Sequence, residues 1–321
     1  MVNVLAQRAS EEVFELAESP VWNPDTERVL WVDIPTGRLH SGTVRGTAIV
    51  DTEALELGEP ITSASLARDG GVLISAQRRL IAIDIAGSVH TGPDILPSHR
   101  RNRMNDGACD SAGRFLVGTL SLDGEKFAEE LLQVEPHGLV TSMRTGIGLS
   151  NGIAWSPDGT QLYHVDTLAR TMWAADYDAA TGIATRWSAL FTVEGGSPDG
   201  LAVDVEGMLW VAIWGAGEVR RYDIAGTVHT TISVDAPHTS SVVFVGQDLN
   251  RVLITTARSE LSKSTLAAGS QSGALFLANP GVRGVPTGRW GGNTRDPDWG
   301  TPPRGPNTES QNTPIRTDEP T

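Results

Sequence analysis

Gly200-Leu201-Ala202-Val203-Asp204-Val205-Glu206-Gly207-Met208-Leu209-Trp210-Val211-Ala212 reads as a short apolar strand, a tight turn and a second apolar strand. Gly207 suits the positive φ that such a turn requires. The second strand has counterparts all along the chain: Val29-Leu30-Trp31-Val32-Asp33, Gly71-Val72-Leu73-Ile74-Ser75, Arg114-Phe115-Leu116-Val117-Gly118, Gln161-Leu162-Tyr163-His164-Val165 and Arg251-Val252-Leu253-Ile254-Thr255. With Leu30, Leu73, Phe115, Leu162, Leu209 and Leu253 taken as equivalent, the repeat is 42 to 47 residues long. That is the length of a four-stranded propeller blade, with the strand before the turn innermost. The pattern predicts an all-β, six-bladed β-propeller of four-stranded antiparallel blades over residues 1–290. Ring closure is expected from pairing of Val13 to Leu16 with Ala274 to Leu277, which removes an open edge. Residues 124–133 and 257–268 are each read as room for a turn or two of helix. From 291 to 321 the chain turns to Gly, Pro, Thr, Asn and charge, the composition of a disordered tail.

The 321 residues carry a formal charge of −14. Such an acidic chain is a poor partner for nucleic acid or an anionic membrane, and a small-molecule partner is expected instead. No stretch reaches the roughly 18 apolar residues of a membrane span and the start lacks a signal-peptide pattern, so a cytoplasmic protein is expected. Cys109 is the one cysteine; without a partner it makes no internal disulfide and reads as a core thiol. The oligomeric state has no signature in the sequence.

Each innermost strand begins near the channel axis, so polar residues at those starts converge. They are Glu18, Asn105-Asp106, Asn151 and Asp199, with only Thr62, Ser63, Thr239 and Ser240 in the second and sixth repeats. Glu18, Asn105, Asn151 and Asp199 lie 12, 10, 11 and 10 positions before the reference residue of their repeat. Carboxylates and amide oxygens gathered at one point repel unless they share a cation or a proton, which points to one bound divalent ion. Oxygen ligands favour Ca²⁺, Mg²⁺ or Mn²⁺, and Zn²⁺ also accepts carboxylates. Asn or Asp before Gly is also ordinary turn chemistry. Asp158 in Pro157-Asp158-Gly159 is set aside on that ground, because it lies in a hairpin. His164 is read as a packing or structural residue, and Trp22, Trp31, Trp155, Trp173 and Trp210 as inter-blade core, with Trp214 near the pocket. Neither a Gly-x-Ser-x-Gly elbow nor a His-Glu-x-x-His motif is present.

Glu18-Ser19-Pro20, Arg103-Met104-Asn105-Asp106-Gly107, Gly113-Arg114-Phe115 leading to Gly118-Thr119, Ser150-Asn151-Gly152, Pro198-Asp199-Gly200-Leu201 and Gly207-Met208-Leu209-Trp210-Val211-Ala212 occur in this order. Together they resemble the regucalcin (SMP-30), gluconolactonase and luciferin-regenerating enzyme family across residues 14–290. The resemblance implies that Glu18, Asn151 and Asp199 hold one divalent ion. It further implies that Arg103 and Asn105 contact sugar hydroxyls and that Asp123, where some relatives have Glu, lies in the substrate pocket. The expected activity is metal-dependent hydrolysis of an aldonolactone, the ion acting as Lewis acid and Asp199 as general base, with Asp123 as the other candidate base. The alternatives are a calcium-binding regulatory propeller without turnover, and a hydrolase of a non-sugar lactone or other ester.

Overall fold

Leu209 and Val211 pack toward one neighbouring sheet, while Trp210 and Ala212, the alternate residues of the same strand, pack toward the other. A strand covered on both faces needs apolar side chains at every position, which is why its sequence runs apolar without alternation. The computed structural model describes residues 2–267 and 270–300, and in it the arrangement recurs six times around a ring. The sheets span Ala17–Glu56, Ile61–Asp94, Asn102–Ile147, Ser150–Thr192, Ser197–Ser233 and Thr239–Ala278, here blades 1 to 6. Six hydrophobic clusters fill the six gaps between neighbouring blades. Trp31 and Trp210 are wholly buried in them. The expected six-bladed propeller is therefore the fold. No helix among the described residues is long and apolar enough to cross a membrane.

Closure of the ring differs in register from the expectation. The outer strand of blade 6 is Gln7–Arg8, paired antiparallel with Phe276 and Leu277. Just before it, Val2–Leu5 runs parallel to the outer strand of blade 5, so the N-terminal segment fastens two blades in succession. Phe14 is close to the expected place, its N–H bonding the Gly273 carbonyl at 2.8 Å. The closing strand itself is polar and exposed, and carries no apolar pattern to announce it.

Two other expectations change. Within 124–133 there is no helix; Glu129–Val134 is the third strand of blade 3. A short helix, Lys263–Ala267, does occur in the excursion of blade 6. Residues 291–300, read from composition as the start of an idle tail, are held against blades 2 and 3. Trp290 is buried, Gly291 N–H bonds the Gly113 carbonyl, and Thr294 donates through both its backbone N–H and its hydroxyl to Asp69. A few anchoring side chains outweigh the polar composition. The remainder of the expected tail, 301–321, lies outside the described residues.

Candidate active site

All six innermost strands carry a β-bulge near the same end. The pairing with the second strand slips between Glu18 and Val21, Ile61 and Ser63, Met104 and Gly107, Asn151 and Ile153, Pro198 and Leu201, and Thr239 and Ser241. A bulge re-aims the side chains beside it, so the repeat brings Glu18, Asn105, Asp106, Asn151 and Asp199 together at one mouth of the channel. In blade 1 the bulge puts Ser19 in the left-handed region at φ 45. Its N–H bonds Glu18 Oε2 at 2.7 Å, and its hydroxyl accepts from Ala64 N–H of the next blade.

The glycines after these residues have a different purpose from the turn role that Asp-Gly and Asn-Gly pairs ordinarily play. Gly107, Gly152 and Gly200 are not among the positive-φ glycines. Gly152 and Gly200 instead let the next inner strand approach, since a Cβ at Gly152 would stand 2.5 Å from Leu201 Cβ and one at Gly200 would overlap Ser241, while a Cβ at Gly107 would stand 2.5 Å from the Phe115 ring of its own blade. Gly200→Ala is accordingly expected to cost about 1–3 kcal/mol by overpacking and to weaken ion binding by displacing Asp199. Thermal melting and metal titration of the variant check both effects.

A chain of hydrogen bonds fixes the amides. Arg103 Nη1 donates to Asn105 Oδ1 at 2.8 Å, and Asn105 Nδ2 donates to Asn151 Oδ1 at 2.6 Å and to the Ser150 carbonyl at 2.8 Å. Asn151 Nδ2 donates to Thr167 Oγ1, whose own hydroxyl donates to the Pro198 carbonyl. The Asn151 amide is thereby held at both ends, and among the described residues its oxygen accepts one hydrogen bond, from Asn105, leaving a second lone pair unused. Asn105 has its Nδ2 committed to Asn151 and the Ser150 carbonyl, and so orients Asn151. Among the described residues Arg103 bonds through Nη1 alone, to Asn105 and the Met104 carbonyl, which leaves the rest of its guanidinium for a ligand.

The carboxylates are the electrostatic centre. Burial, and then Asp106, raise Glu18 to about 8, against the Ser19 N–H and Arg103, which favour its charge. Asp199 is raised by burial and then by Glu18 and Asp106, and neither of its oxygens accepts a hydrogen bond among the described residues. Burial raises Asp106 to about 6 against the Gly107 N–H. Arg103 is lowered by burial to about 10, with Glu18 pulling the other way. Buried carboxylates elsewhere in this fold are treated differently. Asp110 accepts from Gly113 and Arg114 N–H groups, the Arg114 guanidinium and the Tyr177 hydroxyl. Asp204 accepts from Glu206 and Met208 N–H groups, the Trp210 indole and Arg221. An ionised carboxylate left without such partners is costly, and a bound cation would remove the cost. Among the described residues no three His, Cys, Asp or Glu side chains converge on one metal position. A cation held here would take carboxylate oxygens from Glu18 and Asp199 and a neutral oxygen such as that of the Asn151 amide.

Asp106, named with Asn105 among the converging residues but given no role of its own in the sequence reading, proves to be an electrostatic neighbour of Glu18 and Asp199. It precedes Gly107 as Asn151 precedes Gly152 and Asp199 precedes Gly200, a signal obscured by the adjacent Asn105 in a bulge two residues wide. Asp123 is not brought into the cluster. It is exposed, two residues beyond Ser121, whose hydroxyl donates to it at 2.6 Å; since Ser121 pairs with Asn102, Asp123 stands at the rim of the same face. His164 is buried between Ser150 Oγ at 2.7 Å and Arg144 Nη1 at 3.1 Å. Burial and Arg144 lower it to about 3, so it is a neutral structural residue. Cys109 is buried, its thiol pushed up to about 12 by burial, as befits an inert thiol. Below the cluster the channel widens to a cavity of about 550 Å³ touched by Ser19, Asp106 and Gly107 but by none of Glu18, Arg103, Asn105, Asn151 and Asp199. The candidate site is the upper mouth, not this chamber.

Comparisons with known proteins agree with the fold. Residues 16–258 match the family model described as SMP-30/Gluconolactonase/LRE-like region. The chain is 33% identical over 280 residues to pentonolactonase XacC of Haloferax volcanii, covering 84% of this chain and 93% of that one. It is 30% identical over 279 residues to regucalcin of Oryctolagus cuniculus, covering 84% and 92%. The crystal structure of a calcium-binding protein, regucalcin, from Agrobacterium tumefaciens superposes with a TM-score of 0.81 at 29% identity, covering 92% of this chain and 98% of that one. With three quarters of its length matched by the model, the chain belongs to the SMP-30/gluconolactonase/luciferin-regenerating enzyme-like family.

Proposed function

We propose that this protein hydrolyses a sugar-type lactone, an aldonolactone, to the open-chain acid, with a divalent ion held by Glu18, Asn151 and Asp199. The observation that carries the reading is the pair of buried carboxylates, Glu18 and Asp199, both raised by burial and then by neighbouring carboxylates, Asp106 among them in each case, beside an amide held by Asn105 and Thr167. Ca²⁺, Mg²⁺, Mn²⁺ and Zn²⁺ all suit such oxygen donors. A bound divalent ion there supplies a Lewis acid for the lactone carbonyl. Arg103 orients the substrate through its unbonded guanidinium nitrogens. Asp199 takes a proton from the attacking water as the new carbon–oxygen bond forms. That proton passes to the ring oxygen as the ring carbon–oxygen bond breaks. Asp123, at the rim, meets the substrate's outer hydroxyls and is too exposed to serve as the buried base.

The name of the Haloferax relative supports the substrate class. The calcium-binding description of the Agrobacterium structure favours a second reading, ion binding without turnover. The free guanidinium edge of Arg103 beside the carboxylates favours the enzyme, because ion storage has no use for it. Acid release from a panel of pentono- and hexonolactones, an unsubstituted lactone and a simple aryl ester tests the proposal. Turnover confined to the hydroxylated lactones is the expected result. Turnover of the ester alone would replace the substrate class, and none at all would favour the binding protein.

A further inference from the structure

Blade 6 lies diametrically opposite blade 3, which contributes Arg103, and between blade 5 with Asp199 and blade 1 with Glu18. The hydroxyls at the start of its inner strand are committed to the fold. Thr239 Oγ1 lies 2.8 and 2.9 Å from the carbonyls of Ile213 and Glu218, and Ser240 Oγ donates to the Ala17 carbonyl at 2.6 Å. The residue just before them is His238. Its ring stacks on Trp214, with centroids 4.1 Å apart and planes 16° from parallel. Trp214 pairs across the strands with Ser197, two residues before Asp199, so the aromatic pair stands beside the cluster at the site mouth.

His238 is fixed in both orientation and tautomer. Its Nδ1 is 3.0 Å from the Ser259 carbonyl. A carbonyl only accepts, so Nδ1 carries a proton and, in the neutral ring, Nε2 is left as an acceptor. Nε2 has no hydrogen-bond partner among the described residues. Ser259 is itself tied to blade 1 through its N–H and hydroxyl, both bonded to the Glu15 carbonyl, and the His238 carbonyl accepts from Ala257 N–H. The ring is thus held on one face by stacking and on one edge by a hydrogen bond, with its acceptor edge uncommitted.

We propose that His238 is a specificity-determining residue whose Nε2 accepts a hydrogen bond from a hydroxyl of a polyhydroxylated ring ligand, with Trp214 and Ser259 as positioning residues. The inference rests on the reading of the site as one that takes a hydroxylated lactone, and it assigns the recognition opposite Arg103. A ring bound between the two blades is gripped by a donor, Arg103, on one side and an acceptor, His238, on the other. A substrate lacking the hydroxyl forgoes only the His238 contact.

Calorimetric binding to the metal-supplemented protein of a non-hydrolysable aldonolactam and of the unsubstituted lactam of the same ring size tests this. The proteins compared are wild type and His238→Phe, which retains stacking and removes the acceptor. The expected result is a dissociation constant about tenfold higher for the aldonolactam in the variant, no change for the unsubstituted lactam, and a melting temperature close to wild type. His238→Gln, which returns an acceptor oxygen, is expected to recover part of the loss. Equal weakening for both ligands, no weakening for either, or no aldonolactam binding by wild type would each overturn the proposal. Lactone hydrolysis is read separately on wild type, so failure of the lactonase reading is recognised by absent turnover, whatever the binding difference at His238.

Discussion

Asp199→Asn is expected to fold, to keep a weakened ion site and to lose about 10²- to 10⁴-fold in kcat, the range that proton transfer by a positioned group supplies. The exchange preserves shape and one oxygen donor and removes the charge and the basicity. No hydrogen bond from the described residues depends on the carboxylate, so the fold loses little. A carboxylate on a bound cation is a poor base. Glu18 and Asp106 repel the charge on Asp199, which pushes its basicity back up. Metal titration and steady-state kinetics on the same sample separate the roles. Metal retained with activity lost assigns the base to Asp199, and activity lost only in proportion to metal would confine Asp199 to ion binding.

Metal-free protein is expected to become less stable as pH rises from about 4.5 to about 8. The ordinary value for Glu18 is 4.5 and its folded value is about 8. Across that window the folded chain keeps a proton that the unfolded chain has released, so stability is highest at the acid end and falls as pH climbs. Asp106, raised to about 6, and Asp199, raised by the same neighbours, act in the same direction. The loss is on the order of a few kcal/mol. Glu18→Gln removes one of the repelling charges. In chelator it is expected to show a flatter profile and to exceed wild type in stability at pH 8, although it binds the ion poorly. Denaturant unfolding at pH 5 and pH 8 checks this, and a wild-type profile that rises with pH would contradict it. For the same reason ion binding should release protons near neutral pH, so ion affinity increases with pH.

The blades were legible because strands such as Leu209–Trp214, buried on both faces, must be apolar throughout, and six such runs at nearly equal spacing leave few alternatives. The shared position of Glu18, Asn105, Asn151 and Asp199 was legible because the repeat lets equivalent positions be counted, whereas the choice of Glu18, Asn151 and Asp199 as ion ligands came from the family resemblance. What escaped depended on few residues or on backbone detail. Gln7–Arg8 closes blade 6 through backbone bonds that need no side-chain pattern. Residues 291–300 look like a tail in composition, yet Trp290 and Thr294 suffice to seat them. Asp106 was overshadowed by Asn105 because a bulge of variable width breaks the count by one. The aromatic pair of Trp214 and His238 joins the end of a blade 5 strand to the segment leading into blade 6, where the two residues form a backbone bridge that no sequence pattern announces.

The most direct measurement of the central claim is acid release from an aldonolactone by chelator-stripped protein, titrated with Mn²⁺, Zn²⁺, Ca²⁺ or Mg²⁺ and run beside Glu18→Ala. The expected result is no turnover in the stripped protein, recovery that saturates at one ion per chain, and none in the variant at the same ion concentration. Full activity in the stripped protein, or equal recovery in Glu18→Ala, would contradict an ion held by Glu18, Asn151 and Asp199 as the centre of the chemistry.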